Sequence, residues 1–469
     1  MIHEDYTTRS NNRPIFVTGE IAKYLDNPYP EPHVFMITWE AFHRLKFIPN
    51  KFTWHLIVDE IPQAFDCFDE IIPHNHSLLT NYLQTCPAQE NVYSQLLIQD
   101  HSEIRKIAEN KSSDKVYSVF QPLAARLESK YWTSYVQTSS FARLCANNSD
   151  NQKLTVFSFL NPSIFDGFKS VLIAGAHFDD SILYQSFKKR GIKFHKSGIK
   201  LRYSIHQNGA SVTFFYSINQ PWSKRQRKSN NGELWNKLIE GVKQHFNDKK
   251  FVWSANKDIK DNNIFGPQYA SLRLPHSPHG LNSFSDIDNV VFLSAYNLIP
   301  AHANFIQAHL NMSPEAIQTA IHRQQVYQAV MRCSLREPSN LNKKLIYVPD
   351  YPTASWLHLQ FPEANLKCID FGIEQNIAKR GRKRIHISLA DRTDAYRKKI
   401  KDKLQAHIDA LFSNTTDPSF SNIDFCNENT IKIRNNVKTN ALMKLLDDYG
   451  KLCDENTITH QSLNKATFT

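Results

Sequence analysis

The sequence predicts an α/β protein built on parallel sheets in two domains. Strand-like apolar segments alternate with amphipathic helical segments along most of the 469 residues, an alternation typical of parallel sheets. One apolar run, residues 54–58, ends in the adjacent carboxylates Asp59 and Glu60. Ligands of parallel sheets bind at the carboxyl ends of the strands. The run therefore predicts both an inner strand and a candidate site.

The first domain is expected to span residues 1–200. A helix is predicted from Glu40, and another begins after Ser181 and ends near Gly191, as the capping preferences of Ser and Gly indicate. A helical insertion, polar and without a strong strand, is predicted at about 70–150. The segments that read as strands are 33–38, 53–59, 154–160 and 170–175.

The second domain is expected to span residues 201–378, because the strand and helix alternation starts again there. Strands are predicted at 211–217, 250–255, 290–294 and 344–348, and helices at 233–246 and 314–332. Beyond residue 378 the periodicity fades, and residues 379–469 read as a basic segment followed by a polar tail.

Composition excludes several classes of protein. The apolar fraction of 41% is enough for a core, yet no apolar run approaches the ~20 residues that a membrane span requires. The first residues lack a secretory pattern. Seven cysteines are scattered without a CxxC pair, which indicates reduced thiols and neither a zinc site nor a disulfide framework. We expect a cytoplasmic protein with no membrane partner.

The net charge of +11 points to a polyanionic partner, because it is clustered. Residues 379–403 hold eleven Lys or Arg and three Asp. The run 380–384 resembles a minor-groove arm, and with the basic helix that follows it is similar to DNA-binding segments of some plasmid and phage proteins. The alternative is a solvated charged segment. The candidate DNA-binding residues are Arg380, Arg382, Lys383, Arg384 and Arg397.

A second candidate group lies at 326–336. Gln328 and Arg332 are four residues apart and share one helical face, and Arg336 follows. Arginine is always charged and bonds phosphate bidentately, so this pattern suits contact with the γ-phosphate of a nucleotide. The alternative is a solvated basic helix face, just as the alternative for Asp59 and Glu60 is a solvated strand end.

The order of these segments resembles the superfamily 2 helicase family, over roughly residues 15–375. The resemblance implies two RecA-like domains, with Asp59 holding Mg²⁺, Glu60 activating water, and Gln328, Arg332 and Arg336 contacting the γ-phosphate. Further family-like segments lie at 34–42, 172–181, 251–258 and 277–284. They imply that Thr38 and Asn282 contact nucleic acid and that Gly280 lets backbone amides approach phosphate. Arg336 stands one residue beyond the commonest family spacing.

The phosphate-binding motif GxxxxGK[ST] does not occur in the 469 residues. In the family it precedes the segment at Thr38, and about thirty residues stand there. The first RecA-like domain is thus expected to be incomplete at its N-terminus. Three explanations stay open: a truncated or split reading frame, a second polypeptide that supplies the loop, or a degenerate relative that does not hydrolyse nucleotide.

The sequence therefore predicts a helicase- or translocase-like ATPase of a bacterial mobile element. It would depend on DNA, with RNA left open, would use ATP and Mg²⁺, and would be inactive alone if the loop is missing. One alternative is a non-catalytic DNA-binding protein on a degenerate helicase scaffold, in replication control or phage defence. A third is a nuclease whose metal ligands are Asp59, Glu60 and Asp66.

Overall fold

The computed structural model describes residues 17–26, 33–45, 47–72, 75–88, 92–146, 152–199, 203, 205–275 and 281–373. All of these belong to one compact unit. Among the helices of the described ranges, none is long and apolar enough to cross a membrane.

The strands form one two-stranded sheet and two five-stranded sheets. In chain order they are β1 (His55–Asp59), β2 (Phe65–Ile72), β3 (Leu83–Pro87), β4 (Tyr93–Ile98), β5 (Trp132–Gln137), β6 (Gln152–Leu160), β7 (Ser170–Ala174), β8 (Val212–Tyr216), β9 (Phe251–Ser254), β10 (Asn289–Phe292), β11 (Lys344–Tyr347) and β12 (Asn365–Cys368).

The helices begin at side-chain caps in several places, since the oxygens of Asp100, Asp114, Ser181 and Ser313 accept hydrogen bonds from backbone amides of the first turn. In chain order they are α1 (Val17–Asp26), α2 (Trp39–Arg44), α3 (Ser77–Thr80), α4 (His101–Glu109), α5 (Lys115–Glu128), α6 (Thr138–Ala146), α7 (Ile182–Lys189), α8 (Lys224–Lys228), α9 (Glu233–Phe246), α10 (Pro300–Leu310), α11 (Pro314–Gln318), α12 (Gln324–Val330) and α13 (Tyr351–Gln360).

The second half of the unit is an all-parallel sheet in the order β12-β8-β11-β10-β9. Strands β8, β9, β10 and β11 are largely buried, as expected when helices cover both faces of a parallel sheet. The predicted strands 211–217, 250–255, 290–294 and 344–348 are confirmed as these four. The α/β class with parallel sheets is therefore confirmed. The sequence reading missed α10, α13 and β12.

The first half contains a short parallel sheet of β1 and β7, in which Asp59 pairs with Ala174. One face packs on the core around Leu160 and Phe187, while Ile57 on the other face is 68% exposed. The predicted strands 53–59 and 170–175 are confirmed. The apolar run 54–58 is half-buried, however, where a parallel-sheet interior was expected to be covered on both faces.

The predicted strand 33–38 is wrong, because this segment forms no ladder with another described strand. Its side chains do alternate. Phe35 and Ile37 pack inward, whereas Val34 and Met36 are 86% and 80% exposed. The alternation is sufficient for an extended backbone, but a strand also requires a hydrogen-bonded neighbour.

The predicted insertion at 70–150 does contain helices α3 to α6, but the expectation of no strong strand was wrong. Strands β2 to β6 form an antiparallel sheet in the order β2-β6-β5-β4-β3. The predicted strand 154–160 is β6 and belongs to this sheet. Buried serines, such as Ser94, Ser134 and Ser158, replace apolar residues on one face. They weaken the alternation from which a strand is predicted.

The antiparallel sheet is covered on both faces. Helices α4, α5 and α6 pack on the face that carries Leu154 and Val156. Helix α10, which comes from the second half of the chain, packs on the opposite face through Phe305. The rings within 6.3 Å of the Phe305 ring are those of Phe65, Tyr93, Tyr135, Phe157, Phe159 and His309. The insertion thus connects the two halves of the chain.

We predict that Phe305→Ala weakens this connection by about 3–5 kcal/mol, the usual cost of removing a fully buried phenyl ring. Native-state hydrogen exchange of the β6 amides should report the loss as faster exchange. Phe305→Leu, which keeps most of the volume, should cost less than about 1.5 kcal/mol. Equal protection of β6 in both variants would contradict the assigned role of this ring.

Candidate functional site

The two carboxylates predicted as a site lie at the end of β1. Asp59 is the last residue of the strand and is exposed. Glu60 has a φ of +73°, and its amide donates to the Ala174 carbonyl at 2.8 Å. Residues with side chains rarely adopt this left-handed conformation, and those that do are concentrated at functional sites. The backbone therefore turns at Glu60, directly after the strand.

The arginine segment lies at the end of the helix that the sequence predicted. Helices α11 and α12 are joined by a π-helical turn, Thr319–Arg323, so the predicted helix 314–332 is one rod that ends at Val330. Such turns are frequently found at functional sites. Arg332 follows the helix and is 7% exposed. Its Nη2 donates to Gln328 Oε1 at 3.2 Å, as their spacing predicted.

Glu60 and Arg332 meet between the two halves of the unit. Nη2 of Arg332 lies 3.4 Å from Glu60 Oε1, and Nη1 donates to the Leu281 carbonyl at 3.3 Å. The carboxylate is 38% exposed while the guanidinium is buried. A buried cation is costly unless it is paired, so this contact offsets the burial of Arg332. The structure brings together the acidic and basic groups that the sequence placed 272 residues apart.

A second contact holds the same helix to the first half. His177, in the turn after β7, has a φ of +55°, and its carbonyl accepts a hydrogen bond from Gln324 Nε2 at 2.9 Å. Its ring lies 4.8 Å from Tyr327 and 5.1 Å from Trp356. Burial lowers the pKa of His177, with Asp180 opposing the shift. His177 therefore packs as a neutral ring, and its contacts with Gln324 and Tyr327 of α12 set its position.

Arg336 occupies a different environment from Arg332. It is exposed, and its Nη1 donates to Asn282 Oδ1. The structure thus pairs Arg336 with a predicted nucleic-acid residue and places Arg332 with Glu60. Both roles stay predictions.

The turn that carries these arginines is fixed by residues that the sequence did not single out. The fully buried Asn208 donates from Nδ2 to the carbonyls of Leu335 and Glu337, both at 3.1 Å. Ser334 donates to Asp288 from the other side. An isolated Asn or Asp ahead of a strand gives no sequence signal for such contacts.

Other predicted site residues are placed as follows. Thr38 caps α2, because its Oγ1 accepts from the Ala41 amide at 3.1 Å, and its proposed contact with nucleic acid stays a prediction. The predicted residues that lie outside the described ranges are Gly280, Arg380, Arg382, Lys383, Arg384 and Arg397.

The acids at the end of β1 suit Mg²⁺ only when it arrives with phosphate. Within the described ranges, no group of three or more His, Cys, Asp or Glu is placed to hold a metal. Mg²⁺ is ordinarily held by one or two carboxylates together with substrate phosphates and waters. Asp59 and Glu60 can supply the carboxylates. The nuclease set with Asp66 is not formed, because Asp66 lies on β2 in an ion pair with Arg126.

Comparison with known proteins gives one distant structural likeness. No family model and no curated protein matches the chain. A solved structure of XPD, a superfamily 2 helicase, in its apo form resembles it with 13% identity and a TM-score of 0.31. The likeness covers 62% of this chain and 65% of that one, so the chain spans less than two thirds of the XPD structure.

One buried titratable group lies in the helix that presents Arg332. His322, in the π-helical turn, accepts from the Tyr296 amide at Nδ1 (3.3 Å), and its Nε2 lies 3.2 Å from Thr353 Oγ1. Burial, aided by the neighbouring Arg323, lowers its pKa from 6.5 to about 4. The imidazole is therefore neutral in the folded protein at neutral pH.

We predict that His322 makes the protein less stable in acid. Because the unfolded chain binds the proton first, the free energy of unfolding should fall as the pH drops from 6.5 to about 4 and level off below. The loss due to this residue is about 3 kcal/mol. Chemical denaturation of His322→Gln across this range should show a correspondingly shallower profile. Burial lowers the pKa of His309 similarly, but that contribution is common to both proteins. Parallel profiles would contradict the prediction.

Proposed function

We propose that this chain supplies the acidic and arginine groups of a helicase- or translocase-like ATPase that depends on nucleic acid. The supporting observation is the 3.4 Å contact between Arg332, which follows α12, and Glu60, which follows β1. Nucleotide hydrolases of this kind require a carboxylate from one domain and a guanidinium from another at the same phosphate. Assignment to a bacterial mobile element is supported by the sequence of 380–399 alone.

Within this proposal each residue has a separate task. Asp59 would hold Mg²⁺ that arrives with ATP, and Glu60 would orient or deprotonate the attacking water. Arg332, positioned by Gln328, would stabilise the charge that develops on the γ-phosphate. Glu60 provides the negative charge beside Arg332. A γ-phosphate would compete with Glu60 for the same guanidinium.

Within this proposal the phosphate-binding loop would come from outside these 469 residues, on a second polypeptide or on a longer or split reading frame. Support for this is the lack of GxxxxGK[ST] in the 469 residues, together with the half-covered sheet of β1 and β7. Parallel sheets are normally covered on both faces and contain more than two strands. Ile57 is exposed on the bare face, so a strand–loop–helix unit would complete both the sheet and the phosphate site.

The second candidate is a non-catalytic DNA-binding protein on the same scaffold. One observation favours it, namely that GxxxxGK[ST] does not occur in these 469 residues. Here the contact between Glu60 and Arg332 would only hold the two halves together.

We predict that Glu60→Gln lowers DNA-stimulated ATP hydrolysis by about 10²–10⁴-fold, the usual contribution of a positioned base. Arg332→Ala should lower it by about 10³–10⁵-fold, as for other arginine fingers. The assay measures phosphate release, with and without DNA, by the full chain in the presence of the segment that supplies the phosphate-binding loop. Glu240→Gln and Arg105→Ala, on exposed parts of α9 and α4, are matched controls that should retain the rate.

The same assay separates the alternatives. Hydrolysis that survives Glu60→Gln would show that the base is wrongly assigned. No hydrolysis by any of the proteins, combined with salt-sensitive DNA binding, would favour the non-catalytic candidate.

We predict that residues 379–403 provide much of the salt dependence of DNA binding. Each phosphate contact by Lys or Arg adds about 0.9 to the slope of log K against log salt on duplex DNA. Deleting this segment should therefore flatten the slope by several units, measured by fluorescence anisotropy at increasing salt. An unchanged slope would remove the segment from the interface.

A further inference from the structure

A cavity of about 320 Å³ lies at the carboxyl end of β9, apart from the contact between Glu60 and Arg332. Carboxyl ends of parallel strands are the usual place for ligands in sheets of this class. The side chains that give the cavity its polar character are Lys257, Asn262 and Arg273, and the remaining lining residues are Ala255, Ala270, Leu274 and Pro275.

Arg273 is held in place by neutral groups. Its Nη1 donates to Asn262 Oδ1 at 2.6 Å, and Nη2 donates to the carbonyls of Asn256 and Ile259 at 3.3 and 2.8 Å. The guanidinium carbon lies 5.0 Å from the Trp253 ring centroid. Within the described ranges no carboxylate forms an ion pair with Arg273. The orientation of its guanidinium is therefore fixed by neutral groups, and its positive charge is not neutralised.

Lys257 adds a second charge of the same kind. It is exposed at the cavity and has no ion pair within the described part of the chain. The acid next to it, Asp258, is already engaged by Arg227 and Lys228. The cavity therefore has two cations whose charge is available to an anion.

A short basic helix lies beside the cavity. Residues 224–228 form α8, with Ser223 as its cap. Arg227 is buried, and its Nη1 donates to Asn256 Oδ1 at 3.3 Å. This bond ties α8 to the turn after β9. The other basic residues of α8, Lys224, Arg225 and Lys228, are exposed.

We propose that the cavity and α8 together form a binding track for the phosphodiester backbone of a single nucleic-acid strand. Lys257 and Arg273 would take one phosphate, and Lys224 and Arg225 of α8 would take neighbouring ones. A row of fixed and mobile cations suits a polymeric anion better than a single small one, because each phosphate contact releases a counterion. The inference rests on the nucleic-acid dependence of the proposed function but on none of its hydrolytic residues.

The test uses the full chain and a fluorescent oligothymidylate of about fifteen nucleotides, without nucleotide triphosphate. Lys257→Gln should weaken binding roughly fivefold at about 0.1 M salt and lower the salt slope by about 0.7, the share of one phosphate contact on a single strand. Lys260→Gln, an exposed lysine of the same connection that does not line the cavity, is the matched control and should leave both values unchanged.

A second measurement locates the strand and identifies the source of the phosphate. Acylation of lysines, followed by mass spectrometry, should show that the oligothymidylate protects Lys257 and spares Lys260. Inorganic phosphate at the same phosphate concentration should protect neither. Protection of Lys257 by inorganic phosphate alone would overturn the nucleic-acid ligand in favour of a small anion. Equal effects of Lys257→Gln and Lys260→Gln would overturn the site.

These outcomes are independent of ATP hydrolysis. A chain that hydrolyses nothing can still lose strand binding in Lys257→Gln, in which case the track stands and the ATPase proposal fails. Conversely, DNA-stimulated hydrolysis with unchanged strand binding in Lys257→Gln would remove the track and leave the ATPase proposal intact.

Discussion

The packing of Phe305 on the antiparallel sheet is the constraint on which the rest of the candidate site depends. Strand β2 starts five residues after Glu60, and α10 ends four residues before the helix that leads to Arg332. Because α10 packs its phenyl ring among the aromatic residues of β2, β5 and β6, both ends of the site are attached to the same core. The insertion therefore sets the separation of the two side chains.

The ion pair between Arg332 and Glu60 adds an electrostatic constraint to this packing. Arg332 is buried to 7% exposure and carries a charge at any physiological pH, so it requires an acceptor near its guanidinium. Gln328 and the Leu281 carbonyl provide neutral acceptors, and Glu60 provides the only negative charge among the described residues that is paired with it. The left-handed conformation of Glu60 is retained because this pairing and the bond to Ala174 stabilise it.

The sequence predicted the parts of the fold that depend on local pattern. The amphipathic helix Glu233–Phe246 and the buried strands of the second sheet were readable because their residues face a single apolar environment. The antiparallel sheet could not be predicted in this way. Buried serines interrupt the apolar alternation of its strands, and one of its faces is covered by α10, which lies far away in the sequence. In the candidate site, the four-residue spacing of Gln328 and Arg332 was readable, whereas Asn208 and Asp288, which fix the turn, carry no local signal.

The sheet of β1 and β7 has only two strands, yet it holds Asp59 and Glu60 in place. Leu56 packs on the core beside β1 and Val58 is buried, so one covered face is enough to anchor the strand. The pairing with β7 fixes the position of Asp59 along the sheet. The exposed face of this sheet, which carries Ile57, leaves the position of the carboxylates unaffected. Under the proposed function, a strand–loop–helix unit added there would therefore meet acids and an arginine that are already assembled, and its contribution to the site would be limited to the phosphate-binding loop.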